Sequence, residues 1–179
     1  MGALTKPEVG EYLNRHFVSA FQKVATFQIE GRNKQGGNVA GYFCTPAGLV
    51  LHAVAGPVDA DVLLREARWA NETYLLAQLD NPGATQVQAF LRQAHRARLK
   101  QEHGVELALQ DLPRPDTVNR RLLDQLFAVN TQLHLTNQGK VHLLLTVAPM
   151  PRLGQVYQVV FDRILNEKIS TNPVKVAER

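Results

Sequence analysis

Cysteine is almost missing from this chain: Cys44 is the only one in 179 residues. A disulfide within one molecule is therefore excluded, and so is a zinc site built from several thiolates. No apolar run approaches the ~20 residues that span a bilayer. The N-terminal stretch MGALTKPEVGEY has neither the basic flank nor the apolar core of a signal peptide. Gly2 does not match a myristoylation pattern, because Lys6 stands where Ser or Thr is required. These absences predict no membrane association and leave the cytoplasm as the default location, with a leader removed from a longer natural protein as the alternative. Charge is nearly balanced, with 20 Lys and Arg against 16 Asp and Glu, a net +4. Without a concentrated basic module, that surplus does not predict a nucleic-acid partner.

What is present is an ordinary globular composition, with 45% hydrophobic and 20% charged residues. Residues 38–59 (NVAGYFCTPAGLVLHAVAGPVD) carry the clearest pattern. Val39–Cys44 and Leu49–Val54 are short apolar runs separated by Thr45-Pro46-Ala47-Gly48. Pro46 pre-sets the turn and Gly48 lets the chain leave it. Gly56-Pro57 stops the second strand, and Asp59 is placed to cap a helix starting near Ala60. A four-residue turn pairs Cys44 with Leu49, Tyr42 with Leu51 and Gly41 with His52.

Pro7 and Glu8 suit the first turn of a short helix with Val9, Tyr12, Leu13 and His16 on one face. Phe17–Ile29 reads as extended, and Gly31–Gly37 as a polar connector. The helix from about Ala60 to Leu79 places Leu63, Ala67, Ala70, Tyr74 and Ala77 along one stripe, with Trp69 in a core or domain-interface position. Asp80-Asn81-Pro82-Gly83 marks a boundary, and everything beyond it reads as helical. One helix carries Val87, Phe90, Leu91, Ala94 and Ala97. Another, capped by Asp116, carries Val118, Leu122, Leu126, Val129 and Leu133. A break is expected at Asn137-Gln138-Gly139, then a segment from Val141 to Val147. A last helix runs with Leu153, Val156, Tyr157, Val160, Phe161, Ile164 and Leu165 at helical spacing.

The stretches TKPEVGEYLNRHFV (5–18) and YFCTPAGLVLHAVAGPVDADVLLREA (42–67) resemble the later part of a thioredoxin-like fold: a helix-to-strand passage, then the final hairpin and closing helix. The resemblance covers residues 5–79. It implies an α/β fold: a partial thioredoxin-like sheet-and-helix unit at 1–80, followed by an all-helical extension at 84–179. It carries over no catalytic residue. Only four residues precede Thr5, too few for the strand bearing Cys-x-x-Cys, and Val39 stands where the family keeps a cis-proline. The expectation is a degenerate unit, or one whose redox half lies upstream.

The candidate chemistry is sparse. Cys44 ends an apolar strand and projects away from the face that carries His52, so a Cys–His dyad in the hairpin is not expected. His16, His52, His95, His103, His134 and His142 show no recognised metal spacing. Arg92, Arg96, Arg98 and Lys100 form the densest basic stretch, a candidate anion- or RNA-contacting face, but no aromatics interleave with them. The sequence therefore predicts no catalytic residue, no cofactor and no metal. It predicts a non-catalytic interaction or scaffold module with a protein partner, and self-association through an exposed sheet edge is open to it. The alternatives are a thiol-disulfide oxidoreductase lacking its upstream motif and, more weakly, an anion-contacting helical surface.

Overall fold

The computed structural model describes residues 2–22, 27–30, 33–36, 38–80, 83–107, 135–167, 169 and 175–176. The predicted helix carrying Val118 to Leu133, its cap Asp116, and His134 lie outside the described residues.

The chain is a mixed α/β protein. Helix α1 (Pro7–His16) begins with Pro7 in its first turn, and Glu8 complements the positive end of the helix dipole. Its Val9 is fully buried. Strands β1 (Phe27–Glu30) and β2 (Asn33–Gly36) pair antiparallel, Glu30 opposite Asn33. Most of the expected connector is thus a strand: backbone pairing with β1 overrides the weak strand propensity of Asn33-Lys34-Gln35-Gly36. The C-terminal part is not purely helical either. A short β5 (Lys175–Val176) pairs parallel with β1, giving the order β2-β1-β5.

Strands β3 (Ala40–Cys44) and β4 (Val50–Ala55) form a separate antiparallel sheet. The turn between them is built as the sequence predicts. Gly48 adopts φ +74°, a left-handed conformation suited to glycine, and its N–H donates to the Thr45 carbonyl at 2.9 Å. The pairing differs from the expected one. Cys44 lies opposite Val50, Phe43 opposite His52, Tyr42 opposite Ala53 and Gly41 opposite Val54. Leu51 is left without a cross-strand partner, so β4 carries a bulge. Leu49 instead bridges to Arg152, while Val50 N–H donates to Pro151 O at 2.8 Å and Leu153 N–H to Gly48 O at 3.0 Å. The later part of the chain thus hydrogen-bonds to the start of β4.

Asp59 caps α2 (Ala60–Asp80) as expected, its Oδ1 accepting from Val62 N–H at 2.8 Å. Helix α3 (Ala84–His103) ends at Gly104, φ +68°, where the amides of Gly104 and Val105 reach back to the carbonyls of the last turn. The predicted break at Asn137-Gln138-Gly139 is instead the first turn of α4 (Asn137–Val147). Thr136 starts this helix, its hydroxyl accepting from Gly139 N–H at 3.1 Å. Helix α5 (Leu153–Val159) runs into a π turn, Val160–Ile164, where Leu165 N–H reaches Val160 O at 2.9 Å.

The core is continuous across the boundary near residue 80. Val50, Ala53 and Ala55 of β4 pack with Leu99 of α3, Val141, Leu144 and Leu145 of α4, and Val156 and Val160 beyond them. On the other face, Phe43, Val54, Ala67 and Ala70 meet Tyr12, Leu13 and Phe17. Strand β4 is buried along its whole length.

Gly139 sets the approach of α4 to α3. A Cβ there would stand 2.8 Å from Leu135 Cδ2 and 3.1 Å from the His103 ring. Overpacking of this kind costs about 1–3 kcal/mol, while alanine gains up to about 1 kcal/mol over glycine within a helix. Gly139→Ala is expected to lower stability by about 1 kcal/mol net in urea unfolding. A gain in stability would show that the Leu135 and His103 side chains yield freely.

Candidate functional site

Buried polar side chains are costly unless paired, and this protein gathers several in one place. His52 sits mid-way along β4, Glu66 on α2, His95 and Arg98 on α3, and His142 on α4. His52, Glu66 and His142 are 0% exposed, His95 1% and Arg98 8%. Each lies on the inward face of its element. On α3 the buried positions are Val87, Leu91, His95, Arg98 and Leu99, so the apolar stripe turns polar without leaving its helical spacing.

Glu66 is the hub. Arg98 grips it with two nitrogens, Nη1 to Oε2 at 2.6 Å and Nη2 to Oε1 at 3.0 Å. This two-pronged geometry is the strongest that Arg and a carboxylate form. His52 Nε2 lies 2.9 Å from Glu66 Oε2, and Arg65 Nε donates to Oε1 at 3.2 Å. Burial alone would raise the Glu66 pKa. The hydrogen bonds from His52 and Arg98, together with the Arg98 charge, outweigh it and hold the carboxyl well below its usual range. Arg98 also donates through Nε to Glu102 Oε1 at 2.6 Å, which ties the centre to the surface of α3.

Two groups meet His52 Nε2: Glu66 Oε2 at 2.9 Å and the Gln138 amide nitrogen at 3.2 Å, whose shorter bond goes to Ala53 O at 2.9 Å. The ionised carboxylate only accepts and makes the shorter, charge-assisted bond, so His52 carries its proton on Nε2 and donates to Glu66. Its Nδ1 is then a buried lone pair with no hydrogen-bond partner among the described residues. His95 Nε2 lies 2.9 Å from the carbonyl of Leu51, the bulged residue, so that nitrogen is the protonated one. The bulge thus aims a carbonyl at α3. His95 Nδ1 accepts from His142 Nδ1–H across 3.0 Å, leaving His142 Nε2 a second buried atom without a partner among the described residues. Burial pushes all three imidazoles down, His95 to about 3, and keeps them neutral. Each offers one ring nitrogen within 4.8 Å of the other two, an arrangement able to hold a metal ion.

Comparison of the chain with protein-family models, with curated proteins and with solved structures finds no match. The geometry alone carries the functional reading.

Trp69 closes the centre on one side. Its ring stands edge-on, 4.9 Å from His52 and His95 and 5.6 Å from His142, and the Arg98 guanidinium lies 4.8 Å above it. On its outer side is a shallow cleft lined by Asp61, Leu64, Arg65, Arg68 and Glu72. The core or interface position expected for Trp69 takes this form: the ring is partly buried, between the histidines and the surface.

The other candidates are dispersed. Arg98 is buried against Glu66 and so is not available to an outside anion. Arg92 Nη2 turns onto the Val147 carbonyl at 3.0 Å, Arg96 donates to Gln93, and Lys100 pairs with Glu106 at 2.9 Å. The basic stretch therefore does not present four free cations on one face. Cys44 is half-buried beside Ala40 and Tyr42, and burial pushes its thiol pKa up. Because Phe43 is the residue opposite His52, Cys44 points to the other face, as the sequence predicts.

The histidine centre was not foreseen. His95 and His142 lie 47 residues apart, and His52 and Glu66 lie 14 apart on a strand and a helix. No local spacing encodes them. The available signal was polar residues inside apolar patterns: His52 within Leu49–Ala55, His142 within Val141–Val147, and His95 with Arg98 continuing the Val87–Leu91 stripe.

Proposed function

We propose that this protein is a non-catalytic binding module, built on a degenerate thioredoxin-like unit formed by α1, β3, β4 and α2. The order of these elements, the antiparallel β3–β4 pair and the packing of α1 and α2 on one face of it support the fold reading. The setting of Cys44 carries the functional one. A thiol nucleophile needs an exposed setting and a lowered pKa, whereas this thiol is half-buried and pushed the other way. Among the described residues, His52, Glu66, His95, Arg98 and His142 are buried and bonded to one another, which sets them back from an outside substrate. Leu75, Leu76 and Leu79 are exposed on the last turns of α2 and fit a protein partner.

Two assays test this reading. The chain should reduce insulin no faster than the dithiothreitol control, and clear turnover would overturn the proposal in favour of a thiol-disulfide oxidoreductase. Cys44 should react with a disulfide reagent near pH 8 about tenfold or more slowly in the folded chain than in urea, since both thiolate fraction and access are reduced. Equal rates would show that the thiol is open.

A further inference from the structure

We propose that His52, His95 and His142 form a binding site for one divalent late transition-metal ion, with zinc the best match. The inference rests on reading the buried centre as a place where the domain binds rather than reacts.

Three observations carry it. The first is the donor set: three neutral imidazoles and no thiolate. Imidazole suits zinc, copper and nickel, whereas calcium and magnesium require oxygen ligands, and copper(I) and iron–sulfur clusters require sulfur. The second is spacing. Two ligands bound at ~2.05 Å to one tetrahedral ion stand about 3.3 Å apart. His95 Nδ1 and His142 Nδ1 are 3.0 Å apart, and the third ring nitrogen lies within 4.8 Å. Small side-chain movements bring all three to one ion.

The third is the outer arrangement. A metal-bound histidine characteristically donates its other N–H to a carboxylate or a backbone carbonyl, which fixes the ring and raises its basicity. His52 makes the first kind of bond through Nε2 to Glu66, and His95 the second through Nε2 to Leu51 O. In both rings this directs the Nδ1 lone pair to the ion. His142 contributes Nδ1 once its proton sits on Nε2, so the rings bind without a net loss of protons. The fourth position falls to water or hydroxide, as in three-histidine zinc sites generally. A hydrophobic or hydrogen-bonded structural role alone leaves His52 Nδ1, which has no partner among the described residues, unexplained.

The test uses the full chain, stripped with a chelator and titrated with zinc by calorimetry. One equivalent should bind, and cobalt(II) in its place should give the intense visible absorption of a four-coordinate ion. His95→Gln should weaken zinc binding by about a hundredfold or more, whereas replacing the exposed His16 with Gln should leave it unchanged. X-ray absorption on the zinc-loaded wild-type chain should count three imidazoles, a readout that does not depend on any variant folding. No uptake by the folded wild-type chain, equal uptake by folded His95→Gln, or fewer than three imidazoles around the ion would each overturn the proposal. Failure of zinc binding with a silent insulin assay leaves the binding-module reading standing. Insulin turnover with intact zinc binding does the reverse.

Discussion

Glu66→Ala is expected to cost about 3 kcal/mol of folding stability, because it removes the buried carboxylate that holds both Arg98 Nη atoms and leaves that guanidinium, among the described residues, only its Nε bond to Glu102 at the surface. Glu66 is fully buried, and Arg98 reaches it with two hydrogen bonds, so solvent cannot replace the lost partner. His52 would lose the acceptor that fixes its tautomer. Domains of this size have about 5–15 kcal/mol in all, so the variant should unfold at much lower urea. The matched double replacement, Glu66→Met with Arg98→Met, removes both charges together and should recover most of the loss. Urea midpoints for the wild type, Glu66→Met, Arg98→Met and the double variant close this cycle. A Glu66→Ala loss below about 1 kcal/mol would mean that water reaches the pair.

Mild acid should destabilise the metal-free protein before any carboxylate is involved. Burial depresses the pKa of His52, His95 and His142, that of His95 to about 3 from an ordinary 6.5. The unfolded chain therefore takes up protons near pH 6.5 that the folded chain refuses. Stability is full above 6.5 and falls as pH drops, and for His95 the fall ends only near its folded value of about 3. Each such histidine contributes at most about 1.4 kcal/mol per pH unit, or about 4 kcal/mol per unit for three as an upper bound. Glu66 is shifted in the same direction, below its ordinary carboxylate range, so it too loses stability as pH falls, but in a lower window. Its contribution is intact above its ordinary value of 4.5 and is lost only as pH falls further, so it steepens the later part of the curve. Urea midpoints at pH 7, 6 and 5 should fall progressively. A flat profile would show that the folded centre accepts protons without penalty.

The local parts of the fold were legible in the sequence because local chemistry determines them. Pro46 and Gly48 specify the turn, Asp59 the start of α2, and the Val156–Val160–Ile164 spacing the buried side of the last helical segment. The register of β3 and β4 was not, because it depends on the bulge at Leu51, whose carbonyl meets His95 on α3, and on the bridge from Leu49 to Arg152, partners far along the chain. The start of α4 was misread for a related reason: Asn137-Gln138-Gly139 looks like a break until Thr136 is seen capping it. The centre lies further from local rules. Glu66 and Arg98 are 32 residues apart, and each resembles an ordinary surface charge until four elements enclose it.

Trp69 gives this arrangement an experimental use. It is the only tryptophan in the chain, and its ring touches all three central imidazoles while its outer edge borders the surface cleft. Excited at wavelengths that the four tyrosines do not absorb, the unmodified protein emits from a single chromophore at the wall of the site. A change in the protonation, occupancy or packing of those rings that alters the indole's surroundings is then reported by the protein's own light, without a label.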